Sequence, residues 1–117
     1  MENWTDINGR PELMPGTGAS SLILKPQGND VNEASRTYAI ALGANVKATA
    51  YSAFAFGTSV TASGEGSIAG GSGLTEASGK SSLAIGVGAI ADSEGAIAIG
   101  NKTISSGYNS LATGYST

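Results

Sequence analysis

Two copies of one short pattern lie in the stretch Ser82–Gly100, which reads SLAIGVGAIADSEGAIAIG. Each copy runs from a large apolar residue through an alanine and a second large apolar residue to a glycine, as LAIG ending at Gly86 and IAIG ending at Gly100. The two glycines are fourteen positions apart. Self-similarity at a fixed period is the signature of a repeat architecture, and the same pattern continues outward in both directions.

The pattern recurs in six units between Thr37 and Thr117. Their glycines are Gly43, Gly57, Gly71, Gly86, Gly100 and Gly114, each fourteen positions from the next except for fifteen between the third and the fourth. An alanine stands two positions before each of them: Ala41, Ala55, Ala69, Ala84, Ala98 and Ala112. A large apolar residue stands three positions before, and these six residues are called the apolar stripe: Ile40, Phe54, Ile68, Leu83, Ile97 and Leu111. The position directly before each glycine holds Leu42, Phe56, Gly70, Ile85, Ile99 and Thr113.

A unit of this length accommodates two short strands and two tight turns, which make one coil of a β-solenoid. The first half of each unit is apolar or small throughout, as expected for a strand that is covered on both faces. The second half alternates, with Val46 and Ala48 set between polar neighbours, which is typical of a strand with one face in water. The sequence therefore predicts an all-β fold, a parallel β-solenoid of about six coils.

A coil this thin has room only for small side chains, so the alanines and the turn glycines are expected inside it. The apolar stripe then points outward along the whole solenoid, where a soluble monomer does not tolerate it. We expect the stripe to be an intersubunit interface around a shared symmetry axis. If the opposite face of the strand points outward instead, an intersubunit interface is still expected, but other residues form it.

The glycines are attributed to positive φ angles or close backbone approach. The extra residue in the third interval, within residues 74–80, predicts a bulge or a longer turn.

Gly, Ala and Ser make up 52 of the 117 residues, whereas charged residues account for only 13%. The chain has no Cys and no His, which removes thiolate chemistry, the usual general base and the commonest zinc ligand. Its net charge is -3 with scattered basic residues, and no apolar run is long enough to cross a bilayer. We therefore predict no catalytic residues, no cofactor, no metal, no nucleic acid and no membrane as a partner.

Three further motifs carry weaker signals. Residues 86–91, GVGAIA, resemble a dinucleotide-binding turn but lack the helix and the distant acidic residue that such a turn requires. Asp92 and Glu94 form a close carboxylate pair, for which a solvated turn is the preferred interpretation. Tyr108 and Tyr115 are either exposed turn tyrosines or rings that stack on a sugar.

Residues 1–36 have a different chemistry. They hold all three prolines, the only tryptophan (Trp4) and eight of the fifteen charged residues. Turn signals at residues 15–16 and 28–29 flank one expected short strand within Ser21–Lys25. We predict an extended docking segment over residues 1–36, with a disordered leader as the alternative, followed by the repeats over residues 37–117. No signal peptide is expected at the N-terminus, and the edge after Thr117 is expected to be continued by further chain or covered by another chain.

The units SLAIGVGAIA (82–91) and GAIAIG (95–100) resemble the head repeats of trimeric autotransporter adhesins of the YadA type. NSLATGYS (109–116) is similar to that family's Asn-Ser-Val-Ala-Ile-Gly-x-x-Ser element. The resemblance covers residues 37–117 and implies a left-handed parallel β-roll that assembles as a homotrimer, with the apolar stripe as the trimer interface. In that family the element is associated with binding of extracellular matrix such as collagen. Here only Asn109, Ser110, Gly114 and Ser116 match its polar and glycine positions.

Similar head repeats also occur in bacteriophage fibres, whose N-terminal segments dock onto the virion while the repeats project outward. By this analogy we predict a virion fibre that contacts another virion protein and reaches toward a host surface glycan or protein. The predicted docking residues are Trp4, Leu13, Leu22, Ile23 and Leu24. The alternative is the head of a bacterial surface adhesin. A glycan-degrading enzyme is not favoured, because short loops and 6% aromatic residues leave no substrate cleft.

Overall fold

The computed structural model describes residues 13–24 and 30–117, in which the regular structure is all β-strand. In chain order the strands are β1 (Leu13–Pro15), β2 (Leu22–Leu24), β3 (Glu33–Ala34), β4 (Ile40–Ala44), β5 (Lys47–Ala48), β6 (Phe54–Thr58), β7 (Val60–Ala62), β8 (Ile68–Ser72), β9 (Thr75–Ala77), β10 (Leu83–Val87), β11 (Ile90–Ala91), β12 (Ile97–Asn101), β13 (Ile104–Ser105) and β14 (Leu111–Tyr115). They form two sheets. Sheet A has the order β1-β2-β4-β6-β8-β10-β12-β14, and sheet B has the order β13-β11-β9-β7-β5-β3.

Each coil from β2–β3 to β12–β13 contributes one strand to each sheet, β14 adds a last strand to sheet A alone, and from β2 and β3 onward all neighbours are parallel. The predicted parallel β-solenoid of about six coils is confirmed. Equivalent positions of successive units pair with one another: Ala84 lies beside Ala98, and Gly86 lies beside Gly100. Residues one repeat apart in the sequence are therefore paired with each other in the sheet.

Backbone hydrogen bonds between coils continue through the turns. The amide of Ser59 donates to the carbonyl of Ala44 at 2.9 Å, and that of Gly95 donates to the carbonyl of Lys80 at 2.9 Å. Polar backbone groups that lie against an interior need such partners, because an unpaired one costs about as much as a lost hydrogen bond. Contact with the neighbouring coil thus supplies hydrogen-bond partners for the backbone of both the strands and the turns.

Two residues per coil adopt the left-handed conformation and so reverse the chain twice. One stands two positions after the repeat glycine, and the other stands five positions before it; their φ angles lie between 53° and 69°. The first set is Asn45, Ser59, Gly73, Gly88, Lys102 and Ser116. The second set is Tyr38, Ser52, Gly66, Ser81, Gly95 and Asn109. Gly, Asn and Ser dominate both sets, as expected for residues that tolerate positive φ.

The interior of the solenoid is lined by small side chains. Five of the six repeat alanines are completely buried, and the sixth, Ala112 in the last strand, is partly exposed. The largest apolar side chains that are fully buried are Val46 and Val60, on the inner face of sheet B. A methyl or an isopropyl group from each sheet fills the gap between them.

The repeat glycines are required by the close approach of successive coils. At Gly86 the φ angle is +140°, and a Cβ atom placed there would collide with the carbonyl oxygen of Gly100 in the next coil. Gly43, Gly57, Gly71 and Gly100 meet the glycine of the following coil in the same way. At Gly114 a Cβ atom would find only the side chain of Thr117, at 3.6 Å.

Leu74 is the extra residue of the long third interval. It follows the left-handed Gly73, is itself left-handed at φ 65°, and is 76% exposed. Thr75 returns to the regular register opposite Val60. The hydroxyl of Thr75 lies 2.7 Å from the carbonyl of Ser72 and 2.9 Å from that of Gly86, which ties the longer turn to the next coil.

Within residues 13–24 and 30–36 the N-terminal segment contains three strands where the sequence predicts one, and two of them belong to the solenoid. Strand β2 pairs in parallel with β4, and β3 pairs in parallel with β5. Glu33 and Ala34 pair with Lys47 and Ala48 at the same sequence separation as the later coils, so this half of the coil has the regular register. In contrast, Leu22 and its partner Ile40 are further apart in sequence than one repeat. The constant repeat spacing therefore does not reveal this coil in the sequence.

Strand β1 folds back over this first coil. It pairs antiparallel with β2, with Met14 beside Ile23, and it occupies the outer edge of sheet A. Met14 packs against the buried core. Terminal repeats of a solenoid need such a cover, because an open edge offers unpaired backbone groups.

One of the predicted docking residues is buried in this arrangement. Ile23 is only 8% exposed and belongs to the core, because it pairs with Ala41 and points inward like the repeat alanines. Leu13, Leu22 and Leu24 alternate with the inward residues and lie on the outer face of sheet A, partly buried. Trp4 lies outside the described residues.

Gly86→Ala is expected to lower the free energy of unfolding by about 3 kcal/mol, because the new methyl group must displace a backbone carbonyl at positive φ. Gly88→Ala is the matched control, since its Cβ atom would reach only ordinary contact with the carbonyl of Gly73, at 3.4 Å. We expect a loss of about 1 kcal/mol there, from the left-handed backbone alone. Urea unfolding of both variants checks this, and equal losses would contradict the stacking argument.

Deletion of Leu74 is expected to leave the melting temperature unchanged or raised, because the remaining turn has the same length as those of the other coils. Deletion of Ala89, which is completely buried in the next coil, serves as the control and is expected to abolish cooperative melting. Thermal unfolding followed by circular dichroism measures both. A deletion of Leu74 as damaging as that of Ala89 would show that the longer turn is structurally required.

Candidate functional site

In the folded single chain, the outer face of sheet A remains partly exposed to solvent. Side chains alternate along each strand, so the residues three and one before each repeat glycine point outward together. The apolar stripe is therefore one of two adjacent columns on this face. The seven parallel strands from β2 to β14 extend it over about 29 Å, from a strand spacing of ~4.8 Å.

The second column consists of the residues directly before the repeat glycines, and the pairing places Leu42 beside Phe56 and Ile85 beside Ile99. This column is visible in the repeat, but the interface predicted from the sequence consists of the apolar stripe alone. The signal that identifies it is the two-residue period of a strand, which puts it on the same face as the stripe. At the N-terminal end, Leu22 and Leu24 continue both columns for one further coil.

Exposure along the face is highest at the C-terminal strand. Ile40, Phe54, Leu83 and Ile97 of the stripe are partly buried, whereas Ile68 is 38% and Leu111 67% exposed. In the second column Ile99 is 40% exposed. The predicted stripe residues thus share one surface of the chain, and each keeps some area available to a partner.

Phe56 fills the gap that Gly70 leaves in the second column. Gly70 stands where the other central coils carry Leu or Ile, and the ring of Phe56 lies over it in the space that a Cβ atom would need. Phe54 packs against Phe56, with ring centroids 5.2 Å apart and the rings tilted by 45°. This aromatic pair keeps the surface continuous across the glycine.

The outer face of sheet A carries no charge in any strand from β4 to β14. The outer face of sheet B differs, because Glu33, Lys47 and Glu76 point outward from its strands. Ile90 and Ile104 are the apolar exceptions at its C-terminal end, and Ile104 is 54% exposed. An uncharged apolar sheet opposite a mixed polar one is the composition expected of a face that packs against protein.

No cluster that resembles a metal centre occurs within residues 13–24 and 30–117. That part of the chain contains no group of three or more His, Cys, Asp or Glu residues placed to hold a metal ion. Asp92 and Glu94 are exposed turn residues, and the hydroxyl of Tyr108 donates to Glu94 at 3.4 Å. Tyr108 and Tyr115 are both about 70% exposed, but Tyr108 lies in a turn whereas Tyr115 is the last residue of strand β14. Among the same residues, no helix is of a length and hydropathy to cross a bilayer.

The comparison with known families agrees with this architecture. The YadA head domain repeat matches twice, over residues 77–103 and 91–117, which correspond to the C-terminal coils. No curated protein and no solved structure gives a significant match. The strands that precede the matched stretch pair with it in the same register, position for position. Residues 77–117 are therefore similar to the YadA head domain repeat.

Proposed function

We propose that this chain is the solenoid of a homotrimeric structural and adhesive fibre, held together through the outer face of sheet A. The observation that carries the proposal is the continuous, uncharged apolar face along seven parallel strands. The YadA head domain is a structural adhesin repeat, which supports a trimeric, surface-exposed and non-enzymatic role. Threefold symmetry allows each chain to cover the face of its neighbours with the same residues.

The interior explains why such a chain gains from association. Alanine and glycine side chains bury little apolar area, at roughly 25 cal/mol per Å² of surface removed from water. The large apolar side chains, in contrast, stand on the outer face and remain partly exposed in the monomer. Their burial between chains supplies the core that the thin coil lacks.

We further propose that the N-terminal end attaches the fibre to a bacteriophage particle, with the solenoid directed toward the host. Leu13, Leu22 and Leu24 form the apolar start of the outer face, and Trp4 precedes them in the chain. A cavity of about 230 Å³ lies at this end and is lined among others by Met14, Pro15 and Asn32. We propose that a side chain of a virion protein binds in it. The alternative is the head of a bacterial surface adhesin, which the family resemblance supports equally.

Ile68→Asp and Ile99→Asp are expected to convert a trimer into monomers, because each buries a carboxylate against apolar neighbours across the interface. Ile104→Asp is the matched control, since it makes the same change at an exposed isoleucine of sheet B. It is expected to leave the trimer intact. Sedimentation velocity measures the assembly, and circular dichroism verifies that the variants remain folded. A monomeric native chain, or trimers of all three variants, would contradict the proposed interface.

The chain is expected among the proteins of purified phage particles from its source strain rather than in outer membranes. Mass spectrometry of the two fractions decides between the proposals. Peptides found only in outer membranes would favour the bacterial adhesin and contradict the virion fibre.

A further inference from the structure

Two exposed tyrosines lie together at the turn that leads into sheet A, several coils away from the C-terminal tyrosines that the sequence singles out. They border a shallow depression of about 440 Å³ on the surface. We name this surface the tyrosine ledge and define it by its lining residues Tyr38, Tyr51, Ser52, Glu65, Gly66 and Ser81. Tyr38 is 62% and Tyr51 50% exposed.

We infer that the tyrosine ledge is a binding site for a neutral oligosaccharide. The inference rests on the proposed adhesive function and names the class of ligand that the fibre would contact. Tyrosine rings offer an apolar face with a polar tip, which suits the alternating C–H and O–H groups of a sugar ring. The carboxylate of Glu65 accepts hydrogen bonds from hydroxyl groups, and the two serine hydroxyls both donate and accept them.

The backbone at Tyr38 indicates that its ring serves a purpose other than folding. Its φ angle is 63°, in the left-handed region, where a bulky residue costs roughly 1–2 kcal/mol. The equivalent position holds Ser52, Gly66, Ser81, Gly95 and Asn109 in the other units. A strained conformation retained for an exposed ring that fills no core is a feature of functional surfaces.

The shape of the ledge favours a chain-like ligand. Its residues belong to four successive coils, so it extends over about 14 Å along the solenoid, from three strand spacings of ~4.8 Å. In the three coils after that of Tyr38, the position equivalent to Tyr38 holds Ser52, Gly66 and Ser81. Their small side chains leave the depression open. A polymer can therefore lie along the coils, with its sugars on successive turns.

The backbone under the ledge is held rigid before any ligand arrives. The carbonyl of Tyr51 accepts a hydrogen bond from the amide of Gly66 at 2.8 Å, and that of Glu65 accepts one from the amide of Ser81 at 2.8 Å. Such preorganisation lowers the entropy cost of binding. The ledge is lined by one carboxylate and no cationic side chain, which disfavours sulfated, phosphorylated or uronic sugars.

The test is binding of the full chain to an array of immobilised neutral and acidic oligosaccharides built from hexose and N-acetylhexosamine units. We expect at least one neutral oligosaccharide to bind and to shift the amide NMR signals of Tyr38, Tyr51 and Gly66. Tyr51→Ala is expected to weaken binding about tenfold, the equivalent of one lost aromatic contact. Tyr108→Ala changes a tyrosine at the same turn position in the last coil and is expected to bind as the native chain does.

Tyr38→Asn separates a binding role from a structural one. Asn tolerates the left-handed backbone better than Tyr, so the melting temperature is expected to stay the same or rise while binding falls. Absence of binding to every neutral oligosaccharide would overturn the inference, as would a Tyr38→Asn variant that binds normally. Sedimentation of the same samples keeps the two proposals apart. A trimer that binds no sugar refutes the ledge alone, whereas a monomer that binds sugar refutes the trimer alone.

Discussion

The rest of the structure depends on the hydrogen-bonded contact of each coil with the next. Because strands and turns alike are paired to the neighbouring coil, every unit must have nearly the same backbone path. The repeat glycines mark the tightest point of this contact, where the carbonyl of one coil occupies the space of a side chain in the coil before it. Length changes are accepted only where they leave the stack in register, as Leu74 does by standing out from a turn.

This constraint determines how the chain distributes its apolar residues. The two sheets of one coil approach so closely that alanine, valine, serine and threonine fill the space between them. From β4 onward the larger apolar residues of sheet A point outward, and the parallel register then aligns them into columns. An apolar outer face is thus a direct consequence of a thin coil, and the proposed trimer is one way to complete the burial that the single chain begins.

Sequence reasoning identified the coils from Thr37 onward because their repeat is visible as a constant spacing. It did not identify the coil formed by β2 and β3, although Glu33 and Ala34 stand in register with Lys47 and Ala48. The stretch from Leu24 to Asn32 is longer than the equivalent stretch from Leu42 to Val46, and this difference breaks the spacing of the apolar residues. The burial of Ile23 was not predicted for the same reason, since its equivalence to Ala41 appears only when β2 is paired with β4.

The sequence by itself determined the solenoid, its period, the small interior and the existence of an outward apolar column. These follow from local rules, namely the two-residue alternation of a strand, the size of side chains and the recurrence of glycine. Only the tertiary structure decided that the N-terminal strands extend and cap the stack, and that Tyr38 and Tyr51 share a ledge with Glu65. Each of these depends on which residues become neighbours across coils, and neighbours across coils are set by the pairing of strands rather than by their spacing alone.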